Sequence, residues 1–324
     1  MKNIGRLRAL GVMVGVVLGV LGVRAVNALR YPEREAPEVE TDAPPAGVRV
    51  TEVREGDVNG YHIAPERPSR RGLVIVFGGS EGSPDYARAA AIAARGQEVL
   101  ALRFFGQANQ PATLAGIPVE FFGRALAWAE SRGASLDPLT VIGTSKGAEL
   151  SLLLPSFYDE IDNVVLFAPG RHAYQGLDFT RPRSSWTHAG VDVPYVPFAR
   201  GDPASGLAMA LAWLFGTPVS YRATYESAAA AGPAPLAVDA VRGHLLVFAG
   251  DDDRMWPSEV AAREILRARP EDTEIHVYPG AGHVFALDRW YARGMALGGS
   301  RDANAAALAD SNARLDAALA AWHG

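Results

Sequence analysis

Two serines in this chain stand in the pattern G-x-S-x-G. Ser80 lies within Gly78-Gly79-Ser80-Glu81-Gly82, and Ser145 within Gly143-Thr144-Ser145-Lys146-Gly147. The pattern describes a sharp turn from strand to helix, with glycines at the bends and the serine Oγ lifted above the sheet edge. A serine held that way is a nucleophile when a base takes its proton and a carboxylate orients the base. Of the seven histidines, His283 stands apart, because it ends the glycine-flanked loop Pro279-Gly280-Ala281-Gly282-His283 beyond a strand. His62 and His276 fall inside strand patterns, His244 begins a strand, His172 and His188 sit in an irregular stretch, and His323 is in the tail.

The carboxylate is expected after the preceding strand, in Gly250-Asp251-Asp252-Asp253-Arg254-Met255-Trp256-Pro257. Three adjacent carboxylates repel one another, so one buried against an imidazole while another caps or turns the chain is the natural reading. The G-x-x-D-x-x-x-P spacing singles out Asp253, with Asp252 second. The resulting order is Ser, Asp, His. Its spacings of 108 and 30 residues leave room for a cap and then one αβ unit.

Position decides between the serines. The Ser145 string runs straight into helix-forming residues 148–154, with no proline. The Ser80 string runs into Ser83-Pro84 and is preceded by only two short strands. Ser145 is therefore the expected nucleophile, and Ser80 a turn residue in a loop that supplies backbone donors. The N–H of Lys146 and that of Gly79 or Ser80 are the expected oxyanion hole, glycine allowing close approach of a carbonyl.

These residues need a scaffold whose strand ends meet. Strands are expected at 48–53, 58–63, 73–77, 98–104, 139–142, 164–168, 244–249 and 274–278. Helices are expected at 84–95, 118–130, 146–154, 258–268 and 302–322. The alternation implies βαβ units, a mostly parallel central sheet flanked by helices, and an α/β class. Ligands in such sheets bind at the carboxyl ends of the strands. Residues 170–235 are rich in proline, glycine and aromatics without a clean period, and read as an irregular cap or lid insertion. Trp186 and Trp256 are candidates for lining an acyl pocket, and Glu149, one helical turn past Ser145, for bracing the turn.

Lys2, Arg6 and Arg8 precede an apolar and glycine run over 9–23 that continues, Arg24 apart, to residue 29. Residues 1–29 thus read as a signal peptide, with Val26-Asn27-Ala28 as a cleavage site, or as an N-terminal membrane anchor. In the anchor reading membrane association runs through 9–29, and in either the protein is exported or anchored. Residues 30–46 are a proline-rich, charged linker, and 47–324 the catalytic domain. The chain has 31 basic and 36 acidic residues, which argues against a nucleic-acid partner. It has no cysteine, so thiolate chemistry and disulfides are excluded. No P-loop, H-E-x-x-H or G-x-G-x-x-G is present, so neither cofactor nor metal is expected. Lys2 and Lys146 are the only lysines, which marks Lys146 out.

A series of strings also resembles a known family. They are Phe77-Gly78-Gly79-Ser80-Glu81-Gly82, Ile117-Pro118-Val119-Glu120-Phe121-Phe122, Val141-Ile142-Gly143-Thr144-Ser145-Lys146-Gly147-Ala148-Glu149-Leu150, Phe167-Ala168-Pro169, Ser185-Trp186-Thr187, the run from Asp252 to Ser258 and that from Tyr278 to His283. Over 73–285 the chain resembles the C-terminal catalytic domain of acyl-CoA thioester hydrolases and bile-acid-CoA:amino-acid N-acyltransferases. The resemblance implies an α/β-hydrolase fold with Ser145, Asp253 and His283 at the triad positions. Full-length members carry a β-sandwich domain before this one; here about forty residues separate the apolar segment from Leu73, too few for it. The transferases use cysteine as nucleophile, so serine at 145 favours hydrolysis. The expected activity is cleavage of acyl thioesters or carboxylic esters of a small-molecule substrate through an acyl-enzyme. The alternatives are acyl transfer to an amine or alcohol, and a non-catalytic binding protein on the same fold.

Overall fold

A five-residue run without a polar side chain is stable as a strand only where both of its faces are covered. In the computed structural model, which describes residues 2–31, 44–178, 180–230, 232–233, 235–285, 291–292 and 294–324, such runs form the centre of one sheet. Among the described residues its eight strands are β1 (Val48–Glu55), β2 (Val58–Pro65), β3 (Leu73–Phe77), β4 (Glu98–Arg103), β5 (Leu139–Thr144), β6 (Asn163–Phe167), β7 (Leu245–Gly250) and β8 (Thr273–Tyr278). Their order across the sheet is β1-β2-β4-β3-β5-β6-β7-β8. Only the β1–β2 and β2–β4 pairings are antiparallel. The chain thus has the α/β-hydrolase architecture, a mostly parallel sheet flanked by helices.

Alternation survives even in the all-apolar strands. Val74 and Val76 of β3 face a core shared with helices α2 (Tyr86–Ala93) and α8 (Arg301–His323). Ile75 and Phe77 face the opposite core, shared with α3 (Phe121–Ser131), α4 (Lys146–Leu153) and α7 (Ser258–Ala268). Each such fully buried side chain contributes about 1.5–3 kcal/mol of transfer free energy. Register then aligns the strand ends. Phe77 pairs with Gly143, Thr144 with Phe167, Phe167 with Phe248, and Gly250 with Tyr278. The loops that follow β3, β5, β7 and β8 therefore emerge side by side along one edge.

The observed elements differ from the sequence expectations mainly at their ends. The helix expected from residue 84 begins at Tyr86, because Asp85 adopts a left-handed conformation (φ 48°). The helix expected from 118 begins at Phe121, because Ile117–Pro118 pairs with Trp186-Thr187 of the short strand Trp186–His188. Between β6 and β7 the chain is less irregular than its composition suggests. It holds α5 (Pro203–Phe215) and α6 (Arg222–Ala230). An α5 that is apolar all round leaves no periodic signal to read. At the N-terminus α1 (Lys2–Arg30) is one continuous helix that contacts α5. Its stretch Gly11–Arg30 is long and apolar enough to cross a membrane. Most of the expected linker, at 32–43, lies outside the described residues.

Candidate active site

Ser145 sits between β5 and α4 with φ 56° and ψ −115°, a conformation that L-residues avoid and that surrounding structure must enforce. Its N–H donates to the Phe167 carbonyl at 2.8 Å, tying the turn to β6. The two glycines of the motif are steric requirements. A Cβ on Gly143 would lie 2.1 Å from the Gly147 carbonyl oxygen, and one on Gly147 would lie 2.1 Å from that of Gly78. Only hydrogen fits at either place, so the turn closes against β3 and projects a half-buried serine over the sheet edge.

His283 meets it from the loop after β8. Its Nε2 lies 2.9 Å from Ser145 Oγ, and its Nδ1 lies 2.8 Å from Asp253 Oδ2. The His283 backbone N–H donates to the Leu297 carbonyl at 2.7 Å, which anchors the loop. Trp256 stands edge-on to the imidazole, with ring centres 5.9 Å apart. Asp253 is fully buried and its other valences are filled. Oδ1 accepts from the N–H groups of Met255 and Trp256, and Oδ2 accepts from the Ser258 hydroxyl at 2.6 Å. A carboxylate fixed this way cannot rotate, and it holds the imidazole with Nδ1–H toward itself and Nε2 toward the serine.

The neighbouring acids serve elsewhere. Asp252, the second candidate, pairs with Arg254 at 2.6 Å and accepts from the Gly299 N–H. Asp251 accepts from the Gly280 N–H. The three adjacent carboxylates thus point in three directions, which is how the chain tolerates their repulsion.

The glycine loop after β3 lies beside Ser145, since a Cβ on Gly79 would stand 3.4 Å from Ser145 Cβ. Of the expected oxyanion donors, the Lys146 N–H is at the start of α4, where helix geometry leaves N–H groups without an intrahelical acceptor. The Gly79 N–H is engaged in this conformation, donating to Glu81 Oε1 at 2.8 Å. The same carboxylate oxygen accepts from Ser83 Oγ. Gly79 can serve an oxyanion only when Glu81 swings away, and Ser80 is the remaining loop candidate.

Beneath the turn lies a network of which sequence reasoning singled out Lys146 and Glu149 but not their pairing. Lys146 points its side chain down into the protein, where it is 2% exposed, and Nζ donates to both Glu149 oxygens and to Ser185 Oγ at 2.9–3.1 Å. Glu149 is fully buried and also accepts from the Tyr174 N–H and from Trp186 Nε1. Burial pushes the Lys146 ammonium below its ordinary range and the Glu149 carboxyl above its own, each opposed by its partner. The network joins α4 to residues 174–186 of the segment between β6 and β7. Its sequence signals were the scarcity of lysine, which marks Lys146, and the place of Glu149 one helical turn past Ser145. Trp186 accordingly lies in the core, whereas Trp256 borders a cavity of about 350 Å³ with Tyr174, Val260 and Ala261. Among the described residues no group of three or more histidine and carboxylate side chains could hold a metal ion.

The family described as BAAT / acyl-CoA thioester hydrolase C terminal matches residues 117–288. Mouse acyl-coenzyme A thioesterase 5 is 27% identical over 290 residues, covering 83% of this chain and 64% of that protein. Mouse bile acid-CoA:amino acid N-acyltransferase is 25% identical over 244 residues, covering 74% of this chain and 54% of that protein. The chain spans between half and two thirds of the length of these relatives. Among solved structures, a Pyrococcus furiosus esterase, Pf2001, superposes with a TM-score of 0.53 at 16% identity, over 90% of this chain and 97% of the other. That likeness shows a shared fold.

Proposed function

Because the chain belongs to the BAAT / acyl-CoA thioester hydrolase C-terminal family, we propose that it hydrolyses acyl thioesters or carboxylic esters, with Ser145, His283 and Asp253 as its catalytic triad. The observation that carries this reading is the unbroken relay from Ser145 Oγ through both imidazole nitrogens to Asp253, at 2.9 and 2.8 Å. It is set on a serine whose backbone is held at φ 56° and ψ −115°, a conformation that L-residues avoid.

Ser145 Oγ attacks the acyl carbonyl while His283 Nε2 takes its proton. Asp253 stabilises the imidazolium. The carbonyl oxygen gathers negative charge beside the Lys146 N–H and a glycine-loop N–H, from Ser80 or from Gly79 once Glu81 has moved. As the tetrahedral adduct collapses, the thiol or alcohol leaves with the proton held by His283, and Ser145 is left as an ester. His283 then takes a proton from water, whose oxygen attacks that ester. The acid departs and Ser145 regains its proton.

In this reading residues 47–324 are the catalytic domain and 170–235 its cap. Residues 1–29 anchor or export it, and 30–46 form the link. The test is thiol release from a long-chain acyl-CoA, read with a disulfide reagent. A chain without cysteine adds no background. Turnover should fall to background in Ser145→Ala, and a fluorophosphonate should label wild type alone. Retention of turnover in Ser145→Ala overturns the triad. Product that appears only when an amine is supplied would establish transfer, the activity named in one of the relatives, in place of hydrolysis.

A further inference from the structure

Helix α5 has no charged residue from Pro203 to Phe215, and none of its residues is buried. Leu207, Leu211 and Leu214 recur at i, i+4 and i+7, and with Trp213 they are 43–62% exposed. A helix that is apolar all round belongs in a core or in lipid. At 13 residues α5 is about 20 Å long, too short for a hydrocarbon layer of about 30 Å.

Its C-terminus shows where it sits. The last four carbonyls of a helix lack intrahelical donors, and in a low-dielectric setting each must find one. Here all four are satisfied. Ala212 O accepts from the Thr217 N–H, and Trp213 O and Leu214 O accept from Arg24 Nη1 at 2.5 and 3.1 Å. Phe215 O accepts from Asn27 Nδ2 at 2.8 Å. Arg24 and Asn27 are one turn apart on α1, within the stretch long and apolar enough to cross a membrane. Arg24, the cation that interrupts that apolar run, is thus matched to the negative end of the α5 dipole. The contact falls in the last two turns of the apolar stretch, the depth at which a spanning helix reaches the interface. The other end of α5 is polar, with Asp202 accepting from the Ser205 N–H.

We infer that α5 is a second membrane contact, lying in the interface of a lipid bilayer against the end of α1 and seating the cap on the membrane. The lipid surface is favoured over a second copy of the chain because the helix holding α5 is itself a candidate membrane span. The contact adjoins the candidate site. Directly after α5, Ser220 Oγ and the Tyr221 N–H donate to the Arg254 carbonyl, and Arg222 donates to the carbonyl of Asp253. A corollary, which rests on the triad reading, is that acyl donors dissolved in the bilayer reach Ser145 from the lipid phase.

The full-length chain contains no cysteine, so single-cysteine variants take one label. Leu211→Cys, Leu207→Cys, Leu18→Cys in α1 and Asp159→Cys are labelled with an environment-sensitive nitrobenzoxadiazole. Asp159 is exposed and precedes β6 at the sheet edge opposite the cap. Each variant is reconstituted into phosphatidylcholine vesicles with or without lipid carrying a nitroxide near the top of the acyl chain. The expected result is quenching at Leu211 and Leu207 at least about twofold greater than at Asp159, alongside quenching at Leu18. Quenching at Leu18 with Leu211 and Leu207 matching Asp159 overturns the proposal. So does a blue-shifted Leu211 label that nitroxide lipid leaves unquenched, the signature of a protein partner, and so does absence of quenching at Leu18 and Leu211 together. Adding Ser145→Ala leaves the quenching unchanged, so failure of the triad reading is distinguishable from failure of this one.

Discussion

Replacing Glu149 with glutamine tests the buried network under Ser145. The change keeps the shape and an acceptor for Trp186 Nε1 and the Tyr174 N–H, but removes the charge facing Lys146. Lys146 is left with neutral partners alone, Ser185 Oγ and the glutamine oxygen, in a site almost sealed from solvent. Removing one member of a buried ion pair costs about 3–5 kcal/mol, because the other charge is stranded. At roughly 2–4 °C per kcal/mol for a domain of this size, Tm should fall by about 6–20 °C. The loss should depend on pH. Burial already holds Lys146 below its ordinary value of 10.5, and without Glu149 nothing opposes that shift. The unfolded chain keeps the proton up to about 10.5, whereas the folded variant sheds it earlier. The deficit is therefore full below the folded pKa and is relieved as pH rises toward 10.5. Urea unfolding in detergent at pH 7 and 9.5, followed by tryptophan fluorescence, measures it. The double variant Lys146→Met/Glu149→Gln removes the stranded ammonium and should recover most of the loss. A Glu149→Gln cost below about 1 kcal/mol at both pH values, or a double variant worse than the single, would refute the reasoning.

Asp253→Asn should keep the fold, since its side chain can still accept from the Met255 N–H, but it turns the wrong His283 tautomer toward Ser145. A fall in kcat of about 10⁴ is expected, measured with the thioester or ester substrate; a fall under tenfold would remove Asp253 from the triad. His323 is fully buried, bonded to Thr140 Oγ1 and the Arg71 carbonyl, and burial holds its pKa below the usual 6.5. Its contribution is complete above pH 6.5 and is lost as pH falls from there toward the folded pKa, by at most about 1.4 kcal/mol per pH unit. Calorimetric scans between pH 8 and 5 should show a steeper acid loss in wild type than in His323→Gln, and equal slopes would exclude the assignment.

What the sequence determined by itself is the part governed by short-range rules. All-apolar runs between turns mark strands covered on both faces, so β3, β6 and β7 are readable to within a residue or two. The Gly143–Gly147 string announces its turn because no side chain fits where its glycines pack. Loops after successive parallel strands share an edge, so Ser145, Asp253 and His283 are legible as a set although 108 and 30 residues part them. Direction and partnership were decided only by the tertiary structure. The G-x-x-D-x-x-x-P spacing ranks Asp253 above Asp252, but it is the path of the chain against Gly298-Gly299 that turns one outward and buries the other. Lys146 could have faced solvent, and it turns inward because the segment between β6 and β7 brings Ser185 and the Trp186–Glu149 bond to it. Gly79 could have offered its N–H, but Glu81 folds back to take it. His323 reads as a tail residue until Arg71 and Thr140, far away in sequence, close around it. Arg24 reads as a flaw in an apolar helix until α5 supplies the carbonyls it needs. Propensity and pattern act over a few residues, whereas the satisfaction of a buried charge or carbonyl depends on which distant segments the fold brings together.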